Sequence, residues 1–279
     1  MKKITKRLLE AYENYLSEAE KAAATAEKYL KDVREFALWI GDRTVEKGDV
    51  LAYKAMLCER YAPASVNAAI SSLNSFFRFC AWHELRVRSL KIQRRIFIKE
   101  ERELSRAEYG RLLRAASEKG NERLSLLMQT VGSTGIRVSE LRYITAEAVA
   151  RGYAEISCKG KHRTVFLPKG LCRVLLSYLK RCGIPSGAVF VTKSGRPLDR
   201  SNIWSDMKRL CKSAGVSESK VFPHNLRHLF ARTYYSLQKD IVRLADLLGH
   251  SSVNTTRIYT MESGTVHRRQ LEKLGLLLC

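Results

Sequence analysis

The stretch TGIRVSEL, residues 134–141, lies in the middle of this 279-residue chain and places an arginine, Arg137, three residues before a glutamate, Glu140. Taken alone, an arginine in such a stretch is more often a surface or salt-bridged residue than a catalytic one. The segments on either side of it decide which fold and which chemistry it belongs to.

A β-hairpin interrupts the otherwise helical second half of the chain. The runs YAEIS (residues 153–157) and RTVFL (163–167) have strand character and flank the turn CKGKH (158–162). A further short strand is predicted at 188–191. Helices are predicted at 202–212, 223–237, 240–248 and 265–276, and Gly249 is placed to end the third of them.

The first part of the chain has the periodicity of a small helical bundle. Apolar residues recur at three- and four-residue steps from Leu8 to Leu16 and again from Tyr29 to Ile40. A third helix is predicted to begin near Asp49, and a fourth from Ser65 toward Trp82. Four short helices of this kind form a bundle.

A basic segment separates these two parts. From Arg86 to Lys99 it has no acidic residue and six basic ones: Arg86, Arg88, Lys91, Arg94, Arg95 and Lys99. Ser105 and Glu108 then have the spacing of a capping box that opens the second domain. The predicted organisation is therefore a helical domain over 1–85, a linker over 86–103 and a second domain over 104–279. The linker is either a solvated loop or a strap that lies along phosphates.

Composition favours a polyanionic partner. The formal net charge is +22, and nucleic acid is the leading candidate for so basic a chain. No apolar run reaches the roughly 18 to 20 residues of a membrane span, and the start MKKITKRLLEAYENYL lacks the apolar stretch of a signal peptide. We expect a cytoplasmic protein at the nucleoid, with no membrane association. Seven scattered cysteines without a C-x-x-C pair indicate neither a zinc site nor a disulfide framework.

Several further residues could carry chemistry, although each has an ordinary structural explanation when taken singly. They follow residues 134–141 in a fixed order, namely Lys159 in the hairpin turn, His224-Asn225-Leu226-Arg227-His228, Leu248-Gly249-His250 and Tyr259. As an ordered set, these motifs resemble those of the tyrosine recombinases, the family of phage integrases and Xer-type recombinases. That family has T-G-x-R-x-S-E-L, a lysine in a β-hairpin, H-x-L-R-H, L-G-H, and a tyrosine nine residues after the last histidine.

The resemblance implies a mainly α fold with a small β-sheet. An N-terminal four-helix core-binding domain would precede a mixed α/β catalytic domain. The implied function is site-specific DNA recombination through a 3′-phosphotyrosine intermediate on double-stranded core sites. A C-terminal helix would dock on a neighbouring subunit and tie four protomers into a ring, whereas packing on its own domain is the simpler alternative for this leucine-rich tail.

The resemblance also implies a role for each residue of the set. Arg137 and Arg227 would neutralise charge on the non-bridging phosphate oxygens, a task suited to a planar, permanently charged guanidinium. Tyr259 would attack phosphorus, and a phenol with a pKa of about 10 needs a base or a cationic pocket to do so. His224 would transfer that proton, His250 would hydrogen-bond the phosphate, and Glu140 would buttress the site.

The leaving 5′ oxygen needs a proton, and a lysine on the hairpin turn would supply it. Lys159 is the predicted donor. Lys161 is its rival, because the turn is one residue shorter than the family pattern. Together with Arg86, Arg88, Lys91, Arg94 and Arg95, Lys161 is otherwise expected to contact DNA.

No cofactor is expected. One ester replaces another of similar energy, so rejoining needs no ATP, and the chain has no Walker-type glycine loop. A metal site is not expected either. His224 and His228 have the i, i+4 spacing of a zinc-binding helix, but Asn225 stands where a metalloprotease has its glutamate, and nearby arginines would repel a dication.

Two other functions remain possible at this point. A type IB topoisomerase uses a similar set of cations and a tyrosine without paired sites. A DNA-binding regulator could keep the fold but no longer cut, although the intact set of candidate catalytic residues is evidence against it.

Overall fold

In a computed structural model, the chain divides into two compact units, residues 1–94 and 95–279. The structure describes residues 2–92, 102–158, 161–192, 194–259 and 272–273. Arg94, Arg95, Lys99, Lys159 and most of the predicted C-terminal helix at 265–276 lie outside these ranges. No helix in the described ranges is long and apolar enough to cross a membrane.

The first unit contains the four predicted helices: α1 (Lys6–Glu18), α2 (Ala23–Ile40), α3 (Lys47–Arg60) and α4 (Pro63–Phe79). The Thr5 hydroxyl accepts from the Leu8 N–H and caps α1, and Pro63 occupies the first turn of α4, where its missing N–H costs nothing. Tyr12, Phe36 and Phe76 are fully buried at the centre. Aromatic packing therefore holds the bundle together.

The start of the basic linker is anchored to this unit. The side-chain amide of Asn74 donates to the Val87 carbonyl at 2.8 Å, and its oxygen accepts from the Val87 N–H at 2.9 Å. Asn67 makes the same pair of bonds to Leu90, at 3.0 and 2.7 Å. Val87 is buried in the bundle core. The segment 86–90 thus belongs structurally to the first unit, beyond the domain end predicted at residue 85.

The second unit is also mostly helical. Its elements, in chain order, are α5 (Arg106–Glu118), α6 (Glu122–Thr134), a 3-10 helix (Val138–Tyr143), α7 (Ala146–Arg151), β1 (Tyr153–Cys158), β2 (Lys161–Phe166), α8 (Lys169–Cys182), α9 (Arg200–Lys208), α10 (Cys211–Ala214), a 3-10 turn (Glu218–Lys220), α11 (Pro223–Gln238), α12 (Ile241–Leu248), α13 (Val253–Thr256) and a 3-10 turn (Arg257–Tyr259).

The predicted capping box is confirmed, because Ser105 accepts from the Glu108 N–H and Glu108 from the Ser105 N–H.

The predicted hairpin is present as the antiparallel pair β1–β2, in register from Tyr153 with Phe166 to Cys158 with Lys161. The strand predicted at 188–191 is wrong, because in the described ranges this segment forms only isolated bridges. Val191 pairs with Pro197, and proline has no N–H with which to continue a ladder. The helix predicted at 202–212 is two helices, α9 and α10, separated at Arg209 and Leu210.

Two glycines with positive φ shape the region around the candidate functional motifs. Gly135 ends α6 at φ +66°, and a Cβ there would lie 2.4 Å from the Phe230 ring. Gly249 ends α12 at φ +62° as predicted. At both positions the helix ends shortly before a candidate functional residue. Arg137 follows Gly135, and His250 follows Gly249.

Candidate active site

Five of the six predicted catalytic residues come together in the second unit. Arg137 precedes the 3-10 helix after α6, His224 and Arg227 lie one turn apart on α11, His250 follows α12, and Tyr259 lies in the last 3-10 turn. The sixth, Lys159, lies outside the described residues. A cleft of about 750 Å³ opens on this group, with Arg137, Glu140, Arg163, His250 and Thr255 among its lining residues.

Arg227 lies at the centre of the site and is only 1% exposed. Its guanidinium donates to the carbonyls of Gly135 (2.5 Å) and Leu248 (2.7 Å) and to Nε2 of His250 (3.0 Å). Burial and then the charge of Arg137 lower the pKa of Arg227 to about 10, so the group stays charged near pH 7. Because a guanidinium has five N–H donors, these three hydrogen bonds leave two N–H groups for the neighbouring Tyr259 oxygen and for an incoming phosphate.

Arg137 is more open and is held by Glu140. Its Nη1 donates to Oε1 of Glu140 at 2.9 Å, and its backbone N–H donates to Oε2 at 2.9 Å. The Glu140 side chain is 4% exposed and that of Arg137 is 40% exposed. The carboxylate thus holds Nη1 of the guanidinium, and Nη2 reaches the Gly249 carbonyl at 3.4 Å. The remaining N–H groups of this exposed side chain can bind an anion in the cleft.

Tyr259 is 3% exposed, with its ring between two histidines. The ring stacks on His250, with centroids 6.1 Å apart and planes at 16°, and meets the edge of His228 at 4.8 Å and 81°. The Tyr259 side chain interacts with the Arg227 guanidinium, and this interaction raises the pKa of Arg227 against the effect of burial. Because arginine can only donate, the phenol oxygen faces it as an acceptor, and the phenol proton is available to a base.

The hydrogen bonds of His250 assign its tautomer. Nε2 faces the Arg227 guanidinium, which can only donate, so Nε2 carries no proton. Nδ1 therefore holds the proton and donates it to the Thr256 hydroxyl at 2.8 Å. Burial, followed by the charges of Arg227, Arg137 and Arg163, lowers the pKa of His250 to about 4. The imidazole is neutral at pH 7.

His224 and His228 form an edge-to-face pair with centroids 4.7 Å apart. Burial and the neighbouring charges of Arg227, Arg200 and Arg137 lower the pKa of His224, although the residue keeps a solvent-exposed surface. Burial, His224 and Arg227 lower the pKa of His228 to about 4. Both are therefore proton acceptors at pH 7. Among the described residues, no group of three metal-ligating side chains forms around them.

The expected DNA-contacting residues are described only in part. Arg86, Arg88 and Lys91 are exposed, and the backbone carbonyls of Arg86 and Arg88 accept bonds from Lys47 and Lys54. Arg94 and Arg95 lie outside the described residues. Lys161 is the first residue of β2.

Sequence reasoning missed Arg163, a third guanidinium in the site. Its Nη2 donates to Glu140 at 2.7 Å and its Nη1 to the Leu248 carbonyl at 2.6 Å. A signal was available, because alternation along β2 puts Arg163 on the same face as the buried Val165. A charged residue on the buried face of a strand needs partners. His228 and Thr256 were also missed as neighbours of Tyr259 and His250.

Comparison with known proteins identifies the family of this chain. The phage integrase family matches residues 102–264, and its N-terminal SAM-like domain matches residues 9–84. The tyrosine recombinase XerA of Thermococcus kodakarensis is 30% identical over 280 residues, covering 97% of this chain and 96% of that protein. The tyrosine recombinase XerD of Xanthomonas campestris is 31% identical, covering 91% and 85%.

Solved structures agree with this relationship. A crystal structure of XerA recombinase matches at 25% identity with a TM-score of 0.54, covering 99% of this chain and 100% of that one. A lambda integrase fragment, as a dimer bound to a core site, shares the fold with a TM-score of 0.74 at 20% identity, over 91% and 94%. The motifs, the helical architecture and these matches agree: the chain belongs to the phage integrase family and is a tyrosine-type site-specific DNA recombinase.

Proposed function

We propose that this recombinase cuts DNA by attack of the Tyr259 hydroxyl on a backbone phosphate. The new bond joins the phenol oxygen to phosphorus, the bond from phosphorus to the 5′ oxygen breaks, and the products are a 3′-phosphotyrosine and a free 5′ hydroxyl. The reverse attack by a 5′ hydroxyl rejoins the strand. The observation that carries this proposal is the buried Tyr259 ring, which packs against His228 and His250 and interacts with the buried Arg227 guanidinium.

Arg137 and Arg227 are the proposed phosphate ligands. Charge grows on the non-bridging oxygens as phosphorus becomes five-coordinate, so fixed cations lower the barrier. The guanidinium groups of the exposed Arg137 and the buried Arg227 supply that charge. Glu140 is the proposed support, because it holds Arg137 through two hydrogen bonds.

His224 is the proposed acceptor of the Tyr259 proton. Its lowered pKa leaves it neutral and able to accept at pH 7. His228, whose ring contacts both His224 and Tyr259, is the alternative acceptor or a relay between them. We propose that Lys159 protonates the leaving 5′ oxygen, with Lys161 as its rival, on the basis of their places in the sequence motif.

His250 is the proposed donor of a hydrogen bond to the phosphate. In its present tautomer, Nε2 has no proton to donate. Its Nε2 accepts from Arg227 and cannot donate until it gains a proton. An incoming phosphate adds negative charge beside the ring and favours protonation. We therefore propose that His250 becomes charged when DNA enters the site.

The proposed partner is double-stranded DNA at specific core sites. A lambda integrase has been solved as a tetramer bound to a Holliday junction, and XerH with its difH substrate. We propose a homotetramer on two paired sites, in the cytoplasm at the nucleoid. The helical domain and the basic linker would hold DNA through exposed residues such as Arg86, Arg88 and Lys91, while the domain that follows carries out cleavage.

Covalent capture tests the cutting step. Nicked duplexes with a randomised core would be incubated with the native chain and with Tyr259→Phe, and adducts that survive denaturant would be sequenced. We expect an enriched DNA sequence with the native chain and no adduct with Tyr259→Phe. Stable DNA binding without an adduct would instead indicate a regulator. Supercoil relaxation of a plasmid with one such site, without recombination between two sites, would indicate a topoisomerase-like activity.

A further inference from the structure

Arg163 lies between the two proposed phosphate ligands and shares one hydrogen-bond acceptor with each of them. It shares the Glu140 carboxylate with Arg137 and the Leu248 carbonyl with Arg227. We propose that Arg163 is a positioning residue, which sets the two phosphate-binding arginines without touching the phosphate itself. This inference rests on the function proposed above.

The contact with Glu140 controls how tightly Arg137 is held. Arg163 occupies Oε2 at 2.7 Å and leaves Oε1 to the Arg137 side chain. Without Arg163, both carboxylate oxygens can face the Arg137 guanidinium in a bidentate pair, the strongest arrangement available to these groups. Arg137 would then be drawn toward Glu140 and away from an incoming phosphate.

The second acceptor of Arg163, the Leu248 carbonyl, lies at the C-terminal end of α12. Arg163 and Arg227 donate to the same carbonyl at 2.6 and 2.7 Å, and Arg137 reaches the next one, that of Gly249, at 3.4 Å. The last carbonyls of a helix carry partial negative charge and lack helical partners. Together with Glu140, they offset the mutual repulsion of three guanidinium groups and hold them as one cluster.

Gly249 shows how closely Arg163 is packed in this cluster. A Cβ at position 249 would lie 2.3 Å from Nη1 and 2.6 Å from Cδ of Arg163. Only glycine therefore leaves room for the guanidinium at the end of α12. Gly183, which ends α8 at φ +63° with nothing within 4 Å of its Cβ position, has the same backbone conformation without that neighbour.

A neutral phosphate analogue separates positioning of the arginines from general support of the fold. Single-turnover cleavage would be measured on the duplex recovered by covalent capture, with either a phosphodiester or a methylphosphonate at the cut position. The methyl group replaces one charged oxygen, so the reaction depends less on the arginines. For Arg163→Met we expect a loss of about 10²-fold on the phosphodiester and a loss at least about 10-fold smaller on the methylphosphonate. Equal losses on the two substrates would overturn the proposal.

Two further variants keep the test decisive if Arg163→Met does not fold. Arg163→Lys keeps the charge, but one ammonium lacks the fork that spans both acceptors, so we expect the same substrate-dependent loss in weaker form. Full activity of Arg163→Lys would contradict positioning through two acceptors. Gly249→Ala should displace Arg163 and show the same pattern, whereas Gly183→Ala should leave cleavage of both substrates unchanged.

The combination of the two changes is a final check. If Gly249→Ala acts by displacing Arg163, the double variant with Arg163→Met should lose little more than the weaker-cleaving single variant. If instead the activity losses of the two single variants multiply in the double variant, Gly249→Ala does not act by displacing Arg163. The proposed function and this inference fail in different ways: the first fails if the native chain forms no adduct, and the second fails if the native chain cleaves but the variants lose equal activity on both substrates.

Discussion

Arg227 donates to Nε2 of His250 at 3.0 Å, and this one bond fixes the protonation state of the histidine behind Tyr259. The imidazole stacks on the tyrosine ring and donates from Nδ1 to Thr256. The site is thus a cationic pocket in which the histidines are neutral and able to accept protons. This arrangement has measurable consequences for stability, for cleavage and for DNA binding.

The first prediction concerns pH. The unfolded chain protonates His250 below a pKa of about 6.5, whereas in the folded chain its pKa is about 4. Between these values the unfolded state binds more protons, so the free energy of unfolding falls as the pH drops from 6.5 toward 4. Urea unfolding at a series of pH values measures this. His250→Gln should flatten the dependence, and adding His228→Asn should flatten it further, because His228 has a similarly lowered pKa. An unchanged dependence in the double variant would contradict the assignment.

The second prediction concerns Arg227→Lys. A lysine keeps the charge but cannot reach the Gly135 carbonyl, the Leu248 carbonyl and a phosphate together. We expect single-turnover cleavage to fall by about 10²–10³-fold. DNA affinity should fall by less than about 10-fold, because it is spread over many phosphate contacts. Equal losses in cleavage and in filter-binding affinity would show that Arg227 serves binding rather than the reaction.

The third prediction concerns the anchored segment 86–90. If Arg86 and Arg88 contact phosphates, their combined change to glutamine should reduce the slope of log affinity against log salt concentration by about 0.9 for each contact. Asn74→Ala removes no charge, but it frees Val87. We expect it to keep the salt slope, to lower DNA affinity and to accelerate hydrogen exchange at the Val87 amide. An unchanged salt slope in the arginine double variant would exclude phosphate contacts by Arg86 and Arg88.

The fourth prediction concerns Gly135→Ala. The new methyl group would meet the Phe230 ring in addition to adopting an unfavourable positive φ. Gly152→Ala is the matched control, since Gly152 ends α7 at φ +83° with nothing within 4 Å of its Cβ position. We expect Gly135→Ala to lower the free energy of unfolding by about 1–3 kcal/mol more than the control. Similar values for both in urea unfolding would show that Phe230 moves aside without cost.

Much of the fold and of the site could be predicted because it depends on local sequence patterns, namely periodicity, alternation and motif spacing. Helical periodicity marks the first unit, and the hairpin follows from alternation at 153–167. The motif around Arg227 places two candidate residues on one helical turn. Arg137, His224, His250 and Tyr259 lie close together in the second unit because their motifs hold fixed places in the fold. Their roles, like that of Lys159, stay predictions.

What escaped prediction depends on contacts between distant residues. Asn67 and Asn74 pair with backbone groups 23 and 13 residues away. The hydrophobic periodicity of the sequence does not predict such contacts. The tautomer of His250 depends on which atom of Arg227 faces it. Arg163 was passed over because a strand arginine has no motif, and its function becomes visible only when Glu140 and Leu248 are placed beside it.

Mapping the protein–DNA bond tests the central claim most directly. Adducts captured on nicked duplex would be digested with protease and nuclease, and the modified peptide sequenced by tandem mass spectrometry. We predict a nucleotide attached through its 3′ phosphate to Tyr259, no adduct with Tyr259→Phe, and a normal adduct with Tyr234→Phe, whose ring packs against the same cluster. Attachment to any other residue, or an undiminished adduct with Tyr259→Phe, would contradict the account.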